Sequence, residues 1–199
     1  MAGAYLTHIL HLMEQLLSYD RQFFKIINSQ WSNVFFDWLM PWLRNAEMWY
    51  PLYLFLVLLI LFNYRKTGWV WILFAVGAVI MCDFISSHIL KIYVHRLRPC
   101  NEPSIASWIH VLVGYRPQSN SFTSSHATNH FGMAAFFYFT LKEKFKKWPA
   151  LFFIWAFSIS FAQVYVGVHY PLDIICGGLI GILIGYLCGK SFNKSYGLV

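Results

Sequence analysis

Long apolar runs separated by short polar segments make up most of the chain beyond residue 47. The runs cover residues 50–62, 69–90, 127–141, 148–166 and 172–188. Several of them approach the roughly 20 apolar residues that a helix needs to cross a bilayer. The pattern therefore predicts an all-α fold, a polytopic membrane bundle of five transmembrane helices within residues 48–190.

The first 47 residues follow a different pattern. Six apolar residues recur there at helical spacing: Leu6, Ile9, Leu10, Met13, Leu16 and Leu17. The spacing predicts an amphipathic helix in the membrane interface, with a helix packed on the flank of the bundle as the alternative. Residues 20–47 are aromatic but interrupted by polar residues, which favours further interfacial helices. A sixth span within residues 1–47 is the alternative to that interpretation.

Composition supports a membrane protein and a single domain over residues 1–199. The chain is 58% hydrophobic and only 12% charged, whereas a soluble domain has roughly 25% charged residues. The start of the chain lacks the basic region and unbroken apolar run of a cleaved signal peptide. Its four cysteines form no CxxC pair, so neither a disulfide framework nor a zinc site is predicted.

The positions of the basic residues predict the orientation. Eight of the fifteen lie in three short segments at residues 65–66, 142–147 and 190–194. Short basic loops between apolar runs are typical of cytoplasmic loops rather than of a nucleic-acid-binding surface. Residues 91–125 and the turn at 167–171 are then expected on the outer side. This predicts a multi-pass protein of the bacterial inner membrane whose polar residues face the periplasm or the outside.

Three polar clusters fall at ends of the runs that the span count places on this outer side. The clusters are Lys91 and Arg98; Ser124, Ser125 and His126; and His169 with Asp173. Basic residues near a membrane surface are often snorkelling anchors, but that alternative does not explain the histidines, the aspartate and the serines. Cations for phosphate oxygens, a nucleophile, an orienting carboxylate and a proton donor are the parts of phosphoryl-transfer chemistry.

The same residues resemble the three motifs of the type 2 phosphatidic acid phosphatase superfamily. Lys91, six intervening residues and Arg98-Pro99 are similar to the first motif, and "TSSH" at 123–126 is similar to the second, usually Pro-Ser-Gly-His. "QVYVGVHYPLD" at 163–173 resembles the third, usually arginine, five residues, histidine, three residues and aspartate. The resemblance covers residues 50–190 with the motifs in order at matching span ends.

The resemblance implies a catalytic role for three residues. His169 would attack phosphorus and form a phosphohistidine, while Asp173 holds its other ring nitrogen. His126 would protonate the leaving lipid oxygen and then activate water. Pro171 suits the first turn of the last helix, which would leave His169 just outside it. No metal and no cofactor is implied.

The remaining motif residues are expected to bind phosphate: Lys91, Arg98, Ser124, Ser125 and the residue at position 163. Here the sequence departs from the family. Gln163 replaces the arginine of the third motif, and a charge-assisted hydrogen bond is worth roughly 1.5 to 3 kcal/mol. Phosphate binding is expected to weaken unless another cation, such as Arg96 or Arg116, compensates. Ser125 replaces glycine and is expected to narrow the pocket or add a hydrogen bond.

Two further features of the apolar runs have alternative interpretations. Gly177, Gly181, Gly185 and Gly189 recur every fourth residue, which aligns them on one helix face for packing within the chain or, alternatively, for dimerisation. Asp83 lies within the second run, where a hydrogen bond to a neighbouring helix is the favoured role and a functional role the alternative.

The predicted function is a membrane lipid-phosphate phosphatase that acts through a phosphohistidine. Phosphatidylglycerol phosphate, phosphatidic acid, undecaprenyl diphosphate and lipid A all fit as substrates. The expected partners are the phosphorylated lipid and the bilayer, without nucleic acid, and the oligomeric state stays open. One alternative is a lipid-phosphate binding or transport protein without hydrolysis, which Gln163 motivates. The other, a vanadate-dependent peroxidase, is disfavoured by the membrane spans.

Overall fold

The computed structural model describes residues 2–198, and within them the chain forms helices, turns and loops without a β-strand. The predicted all-α fold is therefore confirmed. The seven principal helices are α1 (Ala2–Lys25), α2 (Val34–Arg44), α3 (Tyr50–Asn63), α4 (Gly68–Asp83), α5 (Ser125–Phe145), α6 (Leu151–Tyr165) and α7 (Pro171–Ser195). A π-helical stretch, Phe84–Leu90, and a last turn, Lys91–Tyr93, extend α4.

Four of the predicted spans coincide with helices long and apolar enough to cross a membrane. These are Ala46–Asn63, Gly68–Tyr93, Trp148–Tyr165 and Pro171–Ser195. The remaining predicted span, residues 127–141, lies within α5, which is more polar. Its 21 residues correspond to about 31 Å of helix. Among the described residues, all four candidate spans begin at or after Ala46, so they overlap the region predicted to hold interfacial helices only at residues 46 and 47.

Helix α5 lies at the centre of the bundle, against α4, α6 and α7. Its tightest contact is with the glycine face of α7. A Cβ atom added at Gly181 would come within 3 Å of the backbone of Thr128 and Gly132, and one added at Gly185 would come within 3 Å of the backbone of Gly132. The glycine repeat therefore serves packing within the chain, as the favoured interpretation held, because only a residue without a side chain allows this approach.

The Lys-rich turns lie together at one end of the bundle. The ammonium group of Lys144, at the end of α5, lies 5.9 Å from the ring centroid of Tyr64 in the α3–α4 turn. Near the end of α7, Asn193 donates to the carbonyl of Phe139 at 2.8 Å. Ser125, at the start of α5, lies at the opposite end. The predicted division of the loops into two sets is thus present in the structure.

The N-terminal region is partly exposed and partly packed. The apolar residues in the first half of α1 are not covered by the rest of the chain, and Leu10 and Met13 are each more than half exposed. In the second half of α1, Asp20 and Phe24 are buried. After α1, the amide of buried Asn28 donates to the carbonyls of His110 and Tyr165 at 2.6 and 2.7 Å. The alternative of a helix on the flank of the bundle therefore describes the second half of α1. These contacts bring α1 and α2 to the end that contains the predicted site.

Candidate active site

The turn between α6 and α7 holds His169 just outside a helix, as the sequence predicts. Backbone N–H groups of Val168 and His169 donate to the carbonyl of Gln163 at 3.1 and 3.2 Å. Pro171 begins α7, and Asp173 in its first turn accepts a hydrogen bond from the backbone N–H of Tyr170 at 2.8 Å. These local bonds fix His169 and Asp173 relative to each other.

The two ring nitrogens of His169 face different groups. Nε2 lies 2.9 Å from Nη1 of Arg98, and Nδ1 lies 3.4 Å from Oδ2 of Asp173. Because arginine only donates hydrogen bonds, Nε2 must be the acceptor, and the proton of the neutral imidazole is assigned to Nδ1. Burial lowers the pKa of His169 to about 4, the nearby charge of Arg98 acts in the same direction, and Asp173 opposes both. A neutral ring with an unprotonated Nε2 is the form that a nucleophile requires, once the hydrogen bond from Arg98 moves to another acceptor.

Arg98 is buried and held in place from several directions. Its Nε donates to the carbonyl of Ser119 at 2.8 Å, Nη2 donates to the hydroxyl of Ser119 at 3.0 Å, and Nη1 also reaches the carbonyl of Val168 at 3.2 Å. Burial lowers the pKa of Arg98 from its ordinary value, although arginine stays protonated in proteins. A fixed guanidinium therefore stands directly in front of Nε2 of His169.

Asp173 is part of a buried network that extends to α1. Its Oδ1 accepts a hydrogen bond from Nη1 of Arg96 at 2.7 Å, and its Oδ2 accepts one from the hydroxyl of Ser121. Arg96 also pairs with Asp20. Burial opposes the charge of Arg96, but the two carboxylates together raise its pKa. Arg96, one of the two cations named as possible substitutes for the missing arginine, is thus paired with two carboxylates.

Lys91 and Ser125 meet at the ends of α4 and α5. Nζ of Lys91 donates to the hydroxyl of Ser125 at 2.8 Å, and the hydroxyl oxygen of Ser87 lies 2.9 Å from the hydroxyl oxygen of Ser125. Ser87 donates in turn to Asp83 at 3.1 Å. Among residues 2–198, the hydrogen bond of Asp83 therefore stays on its own helix, and Ser87 connects it to Ser125 of α5, which differs from the direct interhelical bond expected. Ser125, which replaces the glycine of the second motif, was expected to narrow the pocket or to add a hydrogen bond, and here it adds a hydrogen bond.

Ser124 and His126 begin α5. The hydroxyl of Ser124 caps the helix by accepting from the backbone N–H of Ala127 at 3.4 Å, while its own N–H donates to the carbonyl of Asp173 at 3.1 Å. Because this backbone bond joins the start of α5 to the first turn of α7, His126 lies at the same end of the bundle as His169. The ring of His126 stacks on His130 with centroids 6.2 Å apart.

Gln163 is completely buried beneath the histidine turn. Its Oε1 accepts a hydrogen bond from Nε of Arg44, the last residue of α2, at 3.3 Å. Nη2 of Arg44 lies 3.5 Å from the hydroxyl of Tyr115. Arg116, the other cation expected to compensate for Gln163, is exposed on the loop. The cation beside position 163 is therefore one that the motifs did not indicate.

The structure brings together all eight predicted residues: Lys91, Arg98, Ser124, Ser125, His126, Gln163, His169 and Asp173. It adds three that sequence reasoning missed: Asp20, Arg44 and Ser121. Asp20 and Arg44 are charged residues within aromatic and apolar segments. Charged residues are almost never fully buried unless they are paired, so their positions in the sequence indicate that each has a partner in the fold. A buried neutral histidine, a second histidine and several cations at one place can transfer a phosphoryl group.

Comparison with known proteins is consistent with this chemistry. A family model described as the PAP2 superfamily matches residues 68–196. The chain is 31% identical over 179 residues to a Bacteroides thetaiotaomicron protein named lipid A 4′-phosphatase, covering 88% of this chain and 78% of that protein. It is 31% identical over 181 residues to a Sulfolobus acidocaldarius protein named undecaprenyl-diphosphatase, covering 87% and 79%.

A solved structure shows the same fold. The crystal structure of a transmembrane PAP2-type phosphatidylglycerolphosphate phosphatase from Bacillus subtilis aligns with a TM-score of 0.69. The alignment covers 92% of this chain and 88% of that chain at 20% sequence identity.

Proposed function

Because the chain belongs to the PAP2 superfamily, we propose that it is a membrane lipid phosphatase that transfers the phosphoryl group of its substrate to His169 and then to water. One observation carries this proposal. Nε2 of buried His169 lies 2.9 Å from Nη1 of Arg98, while Nδ1 faces Asp173 at 3.4 Å. A nucleophile directed at an anion site and an orienting carboxylate behind it are the arrangement that phosphohistidine chemistry needs.

The first half-reaction forms the phosphohistidine. The lone pair of His169 Nε2 attacks phosphorus, and the bond between phosphorus and the lipid oxygen breaks. His126 gives its proton to that oxygen, so the lipid leaves as an alcohol. Arg98 moves its hydrogen bond from Nε2 to a phosphate oxygen, and Asp173 stabilises the positive charge that develops on the imidazole.

The second half-reaction releases phosphate. His126, now neutral, takes a proton from a water molecule whose oxygen attacks the phosphorus, and the bond between phosphorus and Nε2 breaks. His169 returns to its neutral form and His126 to its protonated form. Lys91 and Arg98 neutralise the phosphate oxygens in both steps, with the hydroxyls of Ser124 and Ser125 beside them.

We propose a phosphate monoester of lipid A as the substrate. The support is the 31% identity over 88% of this chain to the protein named lipid A 4′-phosphatase. Undecaprenyl diphosphate is the second candidate, since the protein named undecaprenyl-diphosphatase has the same identity over 87% of the chain. In both cases the lipid chains stay in the bilayer while the phosphate reaches the end of the bundle that contains His169.

We place the protein in the bacterial inner membrane with this site facing the periplasm or the outside. The support is the separation of charges along the bundle. The basic residues near Tyr64 and at the end of α5 lie at the end opposite Ser125, and positively charged loops stay in the cytoplasm.

Phosphate release in detergent tests the proposal. Wild type, His169→Ala, His126→Ala and the exposed-residue control His8→Ala are compared on lipid A, undecaprenyl diphosphate, phosphatidic acid and phosphatidylglycerol phosphate. Wild type and His8→Ala are expected to release phosphate from lipid A, and the two site variants at least about 1,000-fold more slowly, since several steps depend on each histidine. Binding of lipid without release by wild type would instead support the binding or transport alternative.

Acid-quench trapping identifies the intermediate. With phosphate-labelled substrate, wild type is expected to retain label in an acid-labile, base-stable form that His169→Ala lacks. Label that persists in His169→Ala would show that another residue is the nucleophile.

A further inference from the structure

Three cations converge on the site without a carboxylate partner. Lys91, Arg98 and Arg44 take part in none of the ion pairs formed by residues 2–198. Each contacts a residue of the site: Arg98 contacts Nε2 of His169, Lys91 contacts the hydroxyl of Ser125, and Arg44 contacts Gln163, whose backbone carbonyl accepts the N–H group of His169. Uncompensated cations at a partly buried place repel each other, and a bound anion removes that repulsion.

Arg44 enters this group from outside the three motifs. It is the last residue of α2, and the contacts of α2 with α6 hold it at the site. Nε donates to Oε1 of Gln163 at 3.3 Å, and the guanidinium lies 5.9 Å from the ring centroid of Tyr115. A guanidinium has five N–H donors, so these contacts leave donors free for a ligand.

Gln163 is suited to orient Arg44 rather than to bind an anion by charge. Its side chain is completely buried, and its backbone carbonyl accepts the N–H groups of Val168 and His169. A group attached to Gln163 is therefore fixed relative to the nucleophile. The amide Nε2 of Gln163 is buried and has no hydrogen-bond partner among the described residues, which leaves one more donor beside Arg44.

We propose that Arg44 is a phosphate-binding residue of this site, supplied by α2 and oriented by Gln163, so that it provides the charge that the third motif lacks. The inference rests on the proposed function, because the anion is taken to be the phosphate of the lipid substrate. Arg44 contacts the phosphate, and Gln163 is a positioning residue that acts through it.

A rescue experiment tests this assignment. Turnover of lipid A phosphate in detergent is measured for wild type, Arg44→Ala, Arg44→Lys, Gln163→Arg and the double variant Arg44→Ala/Gln163→Arg. Arg44→Ala is expected to lower kcat/KM roughly 10- to 100-fold, the equivalent of one charge-assisted hydrogen bond. The double variant is expected to recover most of this loss, because an arginine at position 163 places a guanidinium beside the same turn.

Arg116→Ala is the matched control, since Arg116 is an exposed arginine on the adjoining loop. It is expected to keep kcat/KM within twofold of wild type. Arg44→Lys keeps the charge without the planar fork and is expected to lie between wild type and Arg44→Ala. Thermal unfolding in detergent identifies any variant that fails to fold. If Arg44→Ala does not fold, the kcat/KM of Arg44→Lys decides the role of Arg44.

Binding of inorganic phosphate, measured by titration calorimetry, separates this inference from the proposed function. Arg44→Ala is expected to bind phosphate at least about 10-fold more weakly than wild type. If His169→Ala abolishes turnover while Arg44→Ala keeps wild-type kcat/KM and phosphate affinity, the role of Arg44 is wrong and the proposed function stands. If wild type releases no phosphate from any lipid, the proposed function is wrong, and phosphate affinity alone decides the role of Arg44.

Discussion

Oδ1 of Asp20 accepts a hydrogen bond at 2.8 Å from the backbone N–H of Leu172, which lies 152 positions further along the chain. The other carboxylate oxygen of Asp20 pairs with Arg96, and Arg96 pairs with Asp173. Helix α1 is therefore connected to the start of α7 and, through Arg96, to the carboxylate that faces His169. The N-terminal helix contributes to the shape of the site as well as to the surface of the bundle.

Asp20→Asn is expected to lower kcat more than it changes KM. The asparagine oxygen still accepts the N–H of Leu172, but Arg96 loses one of its two carboxylates and is free to shift Asp173 away from His169. Removing one member of a buried ion pair is also expected to cost about 3 kcal/mol of folding stability. Steady-state kinetics and thermal unfolding measure the two effects, and the exposed-residue control Glu47→Gln is expected to change neither. An unchanged kcat in Asp20→Asn would show that the network does not position Asp173.

The value of kcat/KM is expected to fall at acid pH only well below the ordinary pKa range of histidine. His169 must be neutral to attack, and burial lowers its pKa to about 4. The value of kcat/KM should therefore persist as the pH falls through 6.5 and be lost only as it approaches 4, when Nε2 gains a proton. Asp173 raises the pKa of His169, so Asp173→Asn should move this limb to still lower pH. The phosphate of the substrate also titrates at about pH 6, so the measurement is the difference between the two profiles on one substrate. An identical acid limb in wild type and Asp173→Asn would contradict the effect of this carboxylate on His169.

Gly185→Ala is expected to destabilise the bundle, whereas Gly77→Ala is expected to be tolerated. A Cβ at Gly185 would meet the backbone of Gly132 and the side chain of Ala135, while a Cβ at Gly77 has no neighbour within 4 Å. Both changes replace glycine by alanine within a helix, so both variants gain the same helix propensity. A difference in stability between them therefore reports the packing around the added Cβ. Overpacking is expected to cost about 1 to 3 kcal/mol. Equal melting temperatures in detergent for the two variants would contradict the close contact of α5 with α7.

Cysteine labelling from outside the cell is expected to distinguish the two ends of the bundle. Ser107→Cys lies in the segment between α4 and α5, and Lys66→Cys lies in the turn between α3 and α4; both positions are exposed. A membrane-impermeant maleimide should label Ser107→Cys in intact spheroplasts and Lys66→Cys only after the membrane is opened. The unsubstituted chain measures labelling of the four native cysteines. Labelling of both variants in intact spheroplasts would contradict the proposed orientation.

The motif residues and most of the bundle could be predicted from the sequence because their signals are local. A run of apolar residues shows its own length. Lys91 lies in the last turn of the α4 extension, and Arg98 lies seven positions later in the loop that follows. His169 and Asp173 are four positions apart on either side of Pro171. If all five predicted spans cross the membrane, their ends put the three clusters on one side, and this is why the sequence predicts their proximity.

Of the five predicted spans, only residues 127–141 lie in a helix that is not among the described helices apolar enough to cross a membrane, because a central helix need not be apolar throughout. Helix α5 includes His130, buried against Trp155 and hydrogen-bonded to the hydroxyl of Tyr53 at 3.3 Å. Residues that face neighbouring helices are shielded from lipid by them, so polar side chains are tolerated there when they find partners. By hydropathy alone, α5 is therefore not grouped with the four more apolar candidate spans.

The sequence by itself determined the helices, the glycine face of α7 and the set of motif residues, since each depends on spacing within one segment. Only the tertiary structure decided the partners of those residues. Arg96 belongs to Asp20 and Asp173, Ser121 lies beside Asp173, and Arg44 occupies the place beside Gln163. These pairs join residues 52 to 119 positions apart. A buried charge requires a partner for physical reasons, but its identity depends on which helices the packing of the bundle brings together.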